Sequence, residues 1–292
     1  MAQNILVAGA NGFVGSNLIP YLAEQGHNLT ALDLQPYDGP ATSVAGDLTD
    51  YKSFEAALDG IDTAFYLVHS MGTSDDFTAT ERQCAENFVR ACDDHDVDRI
   101  VFIGGIVHQD HVSEHLVSRT TVGDILRTAD ADVTEFRAAI ILGWESSSFQ
   151  IMYQLVKRLP IMIAPRWLDS RCQPIHIDDV LHYLGEAITI DETRGAIYEI
   201  GGSSIHTYRQ LLSILGEEMG RKPFIRTVPL LTPRLSSLWV ELFTDYPTGL
   251  IRALVESLRT DMVVEDDTID DVIPHEPKGY RSAVQQILQD QD

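Results

Sequence analysis

Residues 4–15 read NILVAGANGFVG, and this stretch decides the fold. The apolar run Ile5–Ala8 is typical of a buried parallel strand. Three glycines follow at a regular spacing, Gly9, Gly12 and Gly15, and an amphipathic helical pattern continues from them. Strand, glycine turn and helix together predict the phosphate-binding unit of a Rossmann fold, in which the free N–H groups at a helix N-terminus bind a pyrophosphate.

The three glycines have separate predicted tasks. Gly9 permits a tight turn, Gly12 has no Cβ and lets the backbone approach a pyrophosphate, and Gly15 lets the helix pack close to the strand. Besides the glycines, the residues of this turn that we expect to line the cofactor site are Asn11, Phe13 and Val14. Because a glycine turn alone is a weak signal, the next strand has to support it.

The next predicted strand, Asn28–Leu32, ends in an acidic residue, Asp33. It follows Gly15 at close to the spacing of about 20 residues that is typical of a ribose-binding acid. A carboxylate there accepts hydrogen bonds from the ribose hydroxyls and repels a 2′-phosphate. Residues 34–38, beginning with Leu34, contain no Arg or Lys. The sequence therefore predicts NAD as the cofactor rather than NADP, with Leu34 beside it.

The chain is acidic, with 292 residues, 44% of them hydrophobic, and a formal net charge of −23. This charge argues against nucleic-acid and anionic-membrane partners. No apolar run approaches the about 20 residues of an integral membrane span, and we expect no signal peptide. The three cysteines fit no metal spacing and no disulfide framework, which predicts a cytoplasmic protein. An unidentified small-molecule substrate is the expected partner, and a homodimer is left open.

Strand and helix patterns alternate through the first half of the chain, which predicts a parallel sheet covered on both faces. After Gly143 the rhythm changes, and residues 160–174 are expected to form a loop containing proline and arginine. We predict an α/β fold, a Rossmann doubly wound parallel sheet with a smaller mixed C-terminal lobe. Residues 1–145 would form the dinucleotide-binding domain, residues 146–292 the substrate-side lobe, and about 175–200 would return to the sheet.

Several segments resemble the short-chain dehydrogenase/reductase superfamily in its extended or atypical branch. In chain order, the resembling segments are Gly9–Gly15 (GxxGxxG), Gly46–Asp50 (GDLtD), Phe136–Gly143 (lRpaiilG), Gln173–Val180 (qpihvdDva) and Tyr198–Gly202 (yeigG). Tyr66–Gly72 and Pro165–Trp167 are similar to a YbjT-like atypical group, which is related to NmrA-like proteins and to a complex I accessory subunit. The members of this group mostly have no established substrate, so the resemblance implies the fold and the cofactor more than the chemistry.

The resemblance also implies further cofactor-site residues. Asp47 and Leu48 would lie at the adenine, and Arg137, Ala138 and Ala139 would lie on the strand beside the nicotinamide. Other residues that we expect at the carboxyl edge of the sheet, where ligands bind in such folds, are Leu67, Val68, His69 and Gly104.

The usual catalytic residues of the superfamily are missing. Its catalysis uses a Ser and a Tyr-x-x-x-Lys motif, but Gly104 and Gly105 stand where the Ser is expected, and residues 112–128 contain no Tyr and no Lys. His115 and Arg119 are four residues apart on one helical face, so His115 could transfer a proton and Arg119 could hold the ribose or a substrate anion. The alternative is that both are surface residues on a helix that has lost its catalytic role.

A metal site is not expected. His108, His111 and His115 are spaced three and four residues apart, but no acidic or cysteine ligand pattern accompanies them.

Two functions from different classes fit the sequence. The first is an NAD-dependent oxidoreductase on a small organic substrate, with His115 as proton donor. The second is a non-catalytic dinucleotide-binding protein, either a redox sensor or an assembly subunit. An intact glycine motif fits both, the missing Tyr, Lys and Ser favour the second, and we favour the first because hydride chemistry belongs to the cofactor.

Overall fold

The structure is a computed structural model that describes residues 2–68, 77–107, 114–228, 246 and 260–291. Side chains are not described at residues 77, 78, 114–119, 163–167, 227 and 228. The strands of the described residues are β1 (Asn4–Ala8), β2 (Asn28–Asp33), β3 (Thr42–Ala45), β4 (Thr63–Tyr66), β5 (Arg99–Gly105), β6 (Asp132–Ala138), β7 (Ile141–Leu142), β8 (Ile161–Pro165), β9 (Arg171–Cys172), β10 (Ile175–His176), β11 (Ile197–Ile200), β12 (His206–Thr207) and β13 (Phe224–Val228).

Helices connect most of these strands. Those in the described residues are α1 (Phe13–Glu24), α2 (Tyr51–Phe54), α3 (Phe77–Asp94), α4 (Glu114–Leu126), α5 (Ser147–Arg158), α6 (Ile177–Glu186), α7 (Tyr208–Glu218), α8 (Ile269–Val272) and α9 (Tyr280–Gln289). Short 3₁₀ helices cover Glu55–Leu58, Arg166–Asp169 and Asp191–Thr193. In the described ranges, no helix is long and apolar enough to cross a membrane.

A seven-stranded sheet forms the centre of the molecule, in the order β3-β2-β1-β4-β5-β6-β11. Every neighbouring pair in it is parallel. The chain moves outward in one direction from β1 to β3 and in the other from β4 to β6. This reversal between β1 and β4 creates the crevice in which doubly wound folds bind their ligands. The predicted fold class is therefore confirmed.

Alternate residues of β1 face two different cores. Ile5 and Val7 pack with α1 and α6 on one face of the sheet, whereas Leu6 and Ala8 pack with α3 and α4 on the other. All four side chains are fully buried, which explains the uninterrupted apolar run in the sequence. A third core brings together α5, α7 and α9 in the second half of the chain. The exact division into a dinucleotide-binding domain and a smaller lobe stays a prediction.

The structure corrects two expectations about the second half. Residues 160–174 are not a loop, because β8 pairs with β13 and β9 pairs with β12. The segment predicted to return to the sheet does so only through β11, since β10 pairs with β7 in a separate two-stranded sheet. Two-residue strands are too short to show a hydrophobic period, and the proline in β8 suggested a loop although Pro165 is the last residue of that strand.

Residues around α8 belong to the core that contains Ile5 and Val7 of β1. Ile269 and Ile273, at and just after α8, are buried in the same core as residues of β1, α1 and α6. The core of the glycine-turn half is therefore completed by residues more than two hundred positions later in the sequence.

We expect Gly15→Ala to destabilise the protein by about 3 kcal/mol or more, because its Cβ would lie 2.2 Å from the Gly9 carbonyl oxygen and backbone would have to move. Gly26→Ala is the control: Gly26 has a φ of +85° but no atom within 4 Å of an added Cβ, so only a backbone strain of about 1–2 kcal/mol is expected. Urea denaturation measures both. Equal midpoints for the two variants would show that α1 can move away from the turn at little cost.

Candidate functional site

The glycine turn lies at the carboxyl end of β1 and is held by backbone contacts. Gly9 has a φ of +87°, its N–H donates to the Leu32 carbonyl at 2.9 Å, and an added Cβ would lie 2.8 Å from the Leu67 carbonyl oxygen. Gly15 packs so closely that a Cβ would overlap the Gly9 carbonyl. Both positions therefore exclude a side chain for reasons of packing within the fold.

Gly12 differs from the other two glycines. It is the N-cap of α1, and no side chain caps the first turn. An added Cβ would meet only the Gly9 carbonyl oxygen, at 3.1 Å, so the space in front of Gly12 is open. Uncapped N–H groups and the positive end of the helix dipole face this space. Such free N–H groups at a helix N-terminus are suited to bind an anion such as a phosphate group.

Asp33, at the end of β2, holds the glycine turn in place through hydrogen bonds from backbone N–H groups. Its Oδ2 accepts a hydrogen bond from the Asn11 backbone N–H at 2.9 Å, and its Oδ1 accepts one from the Leu34 N–H at 2.8 Å. The Asn11 side chain donates to the Gln35 carbonyl at 2.9 Å. A carboxylate has about four lone-pair sites, so Asp33 can hold the turn and still accept bonds from a ribose. Asn11 thus has a fold-stabilising contact that the sequence did not predict.

The loop that contains Asp47 and Leu48 follows β3 and lies at the same carboxyl edge of the sheet. The Gly46 N–H donates to the Asp33 carbonyl at 2.9 Å, which joins this loop to the end of β2. The Asp47 carboxylate accepts two hydrogen bonds from Thr49, and the Leu48 side chain is buried. Asn87 of α3 fixes the loop by donating to the carbonyls of Leu48 and Thr49, at 2.8 and 3.1 Å.

Apolar residues lie on both sides of the glycine turn, after β2 and after β4. The Leu34 side chain is 64% exposed and leaves an apolar surface beside Asp33. Leu67 and Val68 follow β4 directly, and the Leu67 N–H donates to the Ala8 carbonyl at 2.9 Å. The structure therefore brings the predicted residues around the glycine turn together at one edge of the sheet.

The predicted residues further from the glycine turn lie on β5, on β6 and directly after β6. Gly104 pairs with Arg137 in the sheet register. The Arg137 guanidinium donates from Nε to the buried Glu135 carboxylate at 2.8 Å, and Arg127 pairs with the other oxygen of that carboxylate. Ala138 is buried against the core, and Ala139 is partly buried beside the third core. Glu135 and Arg127 were missed at the sequence level because nothing local marks them as a pair.

Phe13 connects the start of α1 with the segment that follows β7. A Cβ at Gly143, just after β7, would lie 2.5 Å from the Phe13 ring, so the ring occupies the space that Gly143 leaves. Phe13 is predicted to line the cofactor site. Its side chain also packs the start of α1 against the segment that follows β6 and β7.

The amino edge of the sheet has the opposite character. A cavity of about 310 Å³ lies there, and its lining includes five aspartates and one arginine, Arg194, so its net charge is negative. Such a surface repels the phosphates of a dinucleotide. The carboxyl edge is therefore the candidate site.

Three predicted site residues have side chains outside the described part of the chain. His69 is not described, and His115 and Arg119 belong to the backbone of α4 without described side chains. Among the described residues, no group of three or more His, Cys, Asp or Glu could hold a metal ion.

The segment that contains Asp178 and Asp179 anchors the end of the chain. The Asp179 carboxylate is buried and accepts hydrogen bonds from His275 Nε2 at 2.8 Å and from the Lys278 N–H at 3.1 Å. Contacts with His176, followed by those with Gln286 and Lys278, hold the pKa of the Asp178 carboxyl well below its usual range. Asp178 and Asp179 therefore form contacts that hold this segment in place.

A family model matches part of the chain. Residues 9–141 match the model of a family described as NAD(P)H-binding. The match covers 133 of the 292 residues, from the glycine turn to the start of β7. The predicted nicotinamide dinucleotide cofactor is thereby confirmed.

A solved structure has a similar fold. A nucleoside-diphosphate-sugar epimerase from Staphylococcus aureus aligns over 97% of this chain and 99% of its own, with a TM-score of 0.77 and 18% sequence identity. At this identity the likeness concerns the fold alone.

Two curated relatives are similar in sequence. A 3-beta-hydroxysteroid dehydrogenase from Mycolicibacterium neoaurum is 36% identical over 88 residues, which is 29% of this chain and 24% of the relative. The mitochondrial NADH-ubiquinone oxidoreductase 40 kDa subunit of Neurospora crassa is 20% identical over 229 residues, which is 74% of this chain and 60% of the relative. The chain therefore covers less than two thirds of either relative.

We expect Gly12→Val to abolish dinucleotide binding while the protein still folds, because the valine side chain would fill the open space in front of α1. Gly12→Ala should weaken binding less, since it adds a single methyl group. Fluorescence titration with NADH measures affinity, and urea denaturation confirms folding. A folded Gly12→Val variant with unchanged NADH affinity would mean that this turn does not hold phosphate.

Proposed function

We propose that the chain is an NAD-dependent oxidoreductase of the atypical short-chain type that acts on a small organic substrate. One observation carries the proposal: the open space in front of Gly12 lies between an uncapped helix N-terminus and the Asp33 carboxylate. Groups that bind a pyrophosphate and a ribose are thus side by side, as a dinucleotide requires.

The two halves of the crevice have different roles in this proposal. Asp33 would accept hydrogen bonds from the adenosine ribose, and the exposed Leu34 would pack on the adenine. The residues after β4, β5 and β6, including Leu67 and Gly104, would surround the nicotinamide. When bound, the nicotinamide supplies the hydride chemistry, while the protein orients it and controls the proton.

The proton donor has to differ from the usual tyrosine. Position 115 lies in the first turn of α4, at the carboxyl edge of the sheet, and His115 is our candidate. Position 119 lies one turn further, and we assign Arg119 to cofactor or substrate binding. Neither assignment depends on the missing Tyr, Lys and Ser, because a histidine can donate a proton near neutral pH.

A non-catalytic function is the second candidate. The similarity to the 40 kDa subunit of a larger oxidoreductase extends over 74% of this chain, and that protein is a subunit of an assembly. Together with the missing catalytic motif, this favours a dinucleotide-binding redox sensor or assembly protein as the alternative. In that case the glycine turn and Asp33 would bind NAD without turnover.

We expect NADH to bind more tightly than NADPH, because the Asp33 carboxylate repels a 2′-phosphate. Asp33→Ala should weaken NADH binding by about 1–3 kcal/mol, as for a lost charge-assisted hydrogen bond. Asp38→Ala is the matched control, since it removes the same charge from an exposed position five residues away. Calorimetric titration of the three proteins with NADH and with NADPH measures all six combinations. Equal or tighter NADPH binding by the wild type would remove Asp33 from the ribose.

We expect turnover of at least one compound in a panel of aldehydes, ketones, quinones and sugar nucleotides, followed by NADH absorbance. His115→Ala should lower that turnover by about 100-fold or more, as for loss of a general acid. Arg119→Ala should instead raise the cofactor KM, because its assigned role is binding.

Two outcomes would change these assignments. A substrate that wild type and His115→Ala convert equally well would exclude His115 as the proton donor. NADH binding without turnover of any compound would favour the sensor or assembly function.

A further inference from the structure

A buried carboxylate lies between two arginines beneath the nicotinamide half of the crevice. The Glu135 side chain is only 2% exposed, and its two oxygens pair with Arg127 Nη1 and with Arg137 Nε. An ionised carboxylate in such a position is costly unless it is paired and hydrogen-bonded. The three side chains, which we call the Glu135 cluster, therefore form one electrostatic unit.

Two glycines make room for the Glu135 cluster. A Cβ at Gly104, on β5, would lie 2.6 Å from Glu135 Oε1, and a Cβ at Gly123, on α4, would lie 2.9 Å from Oε2. The carboxylate thus fills the space above two positions that have no side chain. Glu135 is held in place from the sheet and from the helix, and it holds the Arg137 side chain in turn.

Arg137 is the member of the cluster nearest the ligand edge. It is the second-last residue of β6, and 24% of its side chain is exposed. Its contact with Glu135 uses Nε, and within the described residues the guanidinium has no other protein partner. The edge formed by its two terminal nitrogens is left for a ligand. That edge matches the two oxygens of a carboxylate.

The charge of the cluster favours a monoanion. Arg127 also donates to Asp124 at 2.6 Å, but the Asp124 side chain is 67% exposed and screened by water. Glu135 and its two arginines together keep one positive charge, in a chain with a net charge of −23. A carboxylate neutralises that charge, whereas a phosphate dianion would leave one negative charge without a partner.

We propose that Arg137 binds a carboxylate group of the substrate, with its guanidinium oriented by Glu135. This assignment rests on the proposed function, because it names the substrate class of the same site: a small organic acid. It moves Arg137 from the predicted cofactor contacts to the substrate. The strand order supports this move, since β6 lies three strands from β1, or about 14 Å from the pyrophosphate turn.

The test compares a carboxylate with an uncharged molecule of the same shape. Benzoate and benzamide are titrated into the NADH-saturated protein and followed by ligand-observed NMR. The wild type should bind benzoate at least about tenfold more tightly than benzamide, as expected for a hydrogen bond to a charged group. Arg137→Gln should remove this preference and leave NADH affinity unchanged. Arg137→Lys should keep part of it, because lysine retains the charge and loses the planar fork.

Arg127→Gln is the matched control. It removes the same charge from the same cluster, but Arg127 contacts Glu135 and Asp124 instead of the proposed ligand. The benzoate preference should therefore fall less in this variant than in Arg137→Gln, because the cluster loses a charge but keeps the group that contacts the ligand. An equal loss in Arg127→Gln and Arg137→Gln would attribute binding to the overall charge and overturn the assignment to Arg137.

Further results separate this inference from the proposed function. Equal affinity of the NADH-bound wild type for benzoate and benzamide would overturn the inference alone, and so would tighter binding of inorganic phosphate than of benzoate. Absence of NADH binding would instead contradict the proposed function. If Arg137→Gln does not fold, the wild-type preference and its reduction in Arg137→Lys decide the question.

Discussion

The site depends on one steric constraint, the contact between the Gly9 carbonyl and the backbone of α1 at Gly15. A Cβ at Gly15 would approach that carbonyl oxygen to 2.2 Å, so the helix starts directly on the turn. The same turn is bonded to β2 through Leu32 and lies over the chain that leaves β4 at Leu67. Three strands and one helix are therefore fixed relative to each other at a single point, and the open face of Gly12 is what this arrangement leaves for a ligand.

Positive potential in this acidic protein is local. The N-terminus of α1 supplies it through uncapped N–H groups, and the Glu135 cluster supplies it through an excess of one arginine. The amino edge carries a cavity rich in aspartate instead. An anionic cofactor thus meets a favourable potential at the carboxyl edge, while the rest of the surface keeps a net negative charge that disfavours nonspecific anion binding.

The sequence predicted the features that local spacing controls. The glycine period, the buried β1 and the acid at the end of β2 all lie within one βαβ unit, so short-range rules sufficed for the glycine turn and Asp33. Contacts that depend on the tertiary fold could not be found in this way. Asn87 contacts the loop that follows β3, and Glu135 meets Arg127 only because the chain turns back between α4 and β6. Likewise, β8 was missed because its partner β13 is some sixty residues away.

The return of Ile269 and Ile273 to the core of β1 and α1 bears on how this protein is made in the cell. A nascent chain emerges from its N-terminus, so the glycine-turn half leaves the ribosome long before the residues that complete its core. Until β11 arrives, β6 also presents an unpaired edge, which is a template for wrong strand pairing. The first half must therefore wait in an incomplete state during synthesis, and a chaperone that shields apolar surface would act on this intermediate.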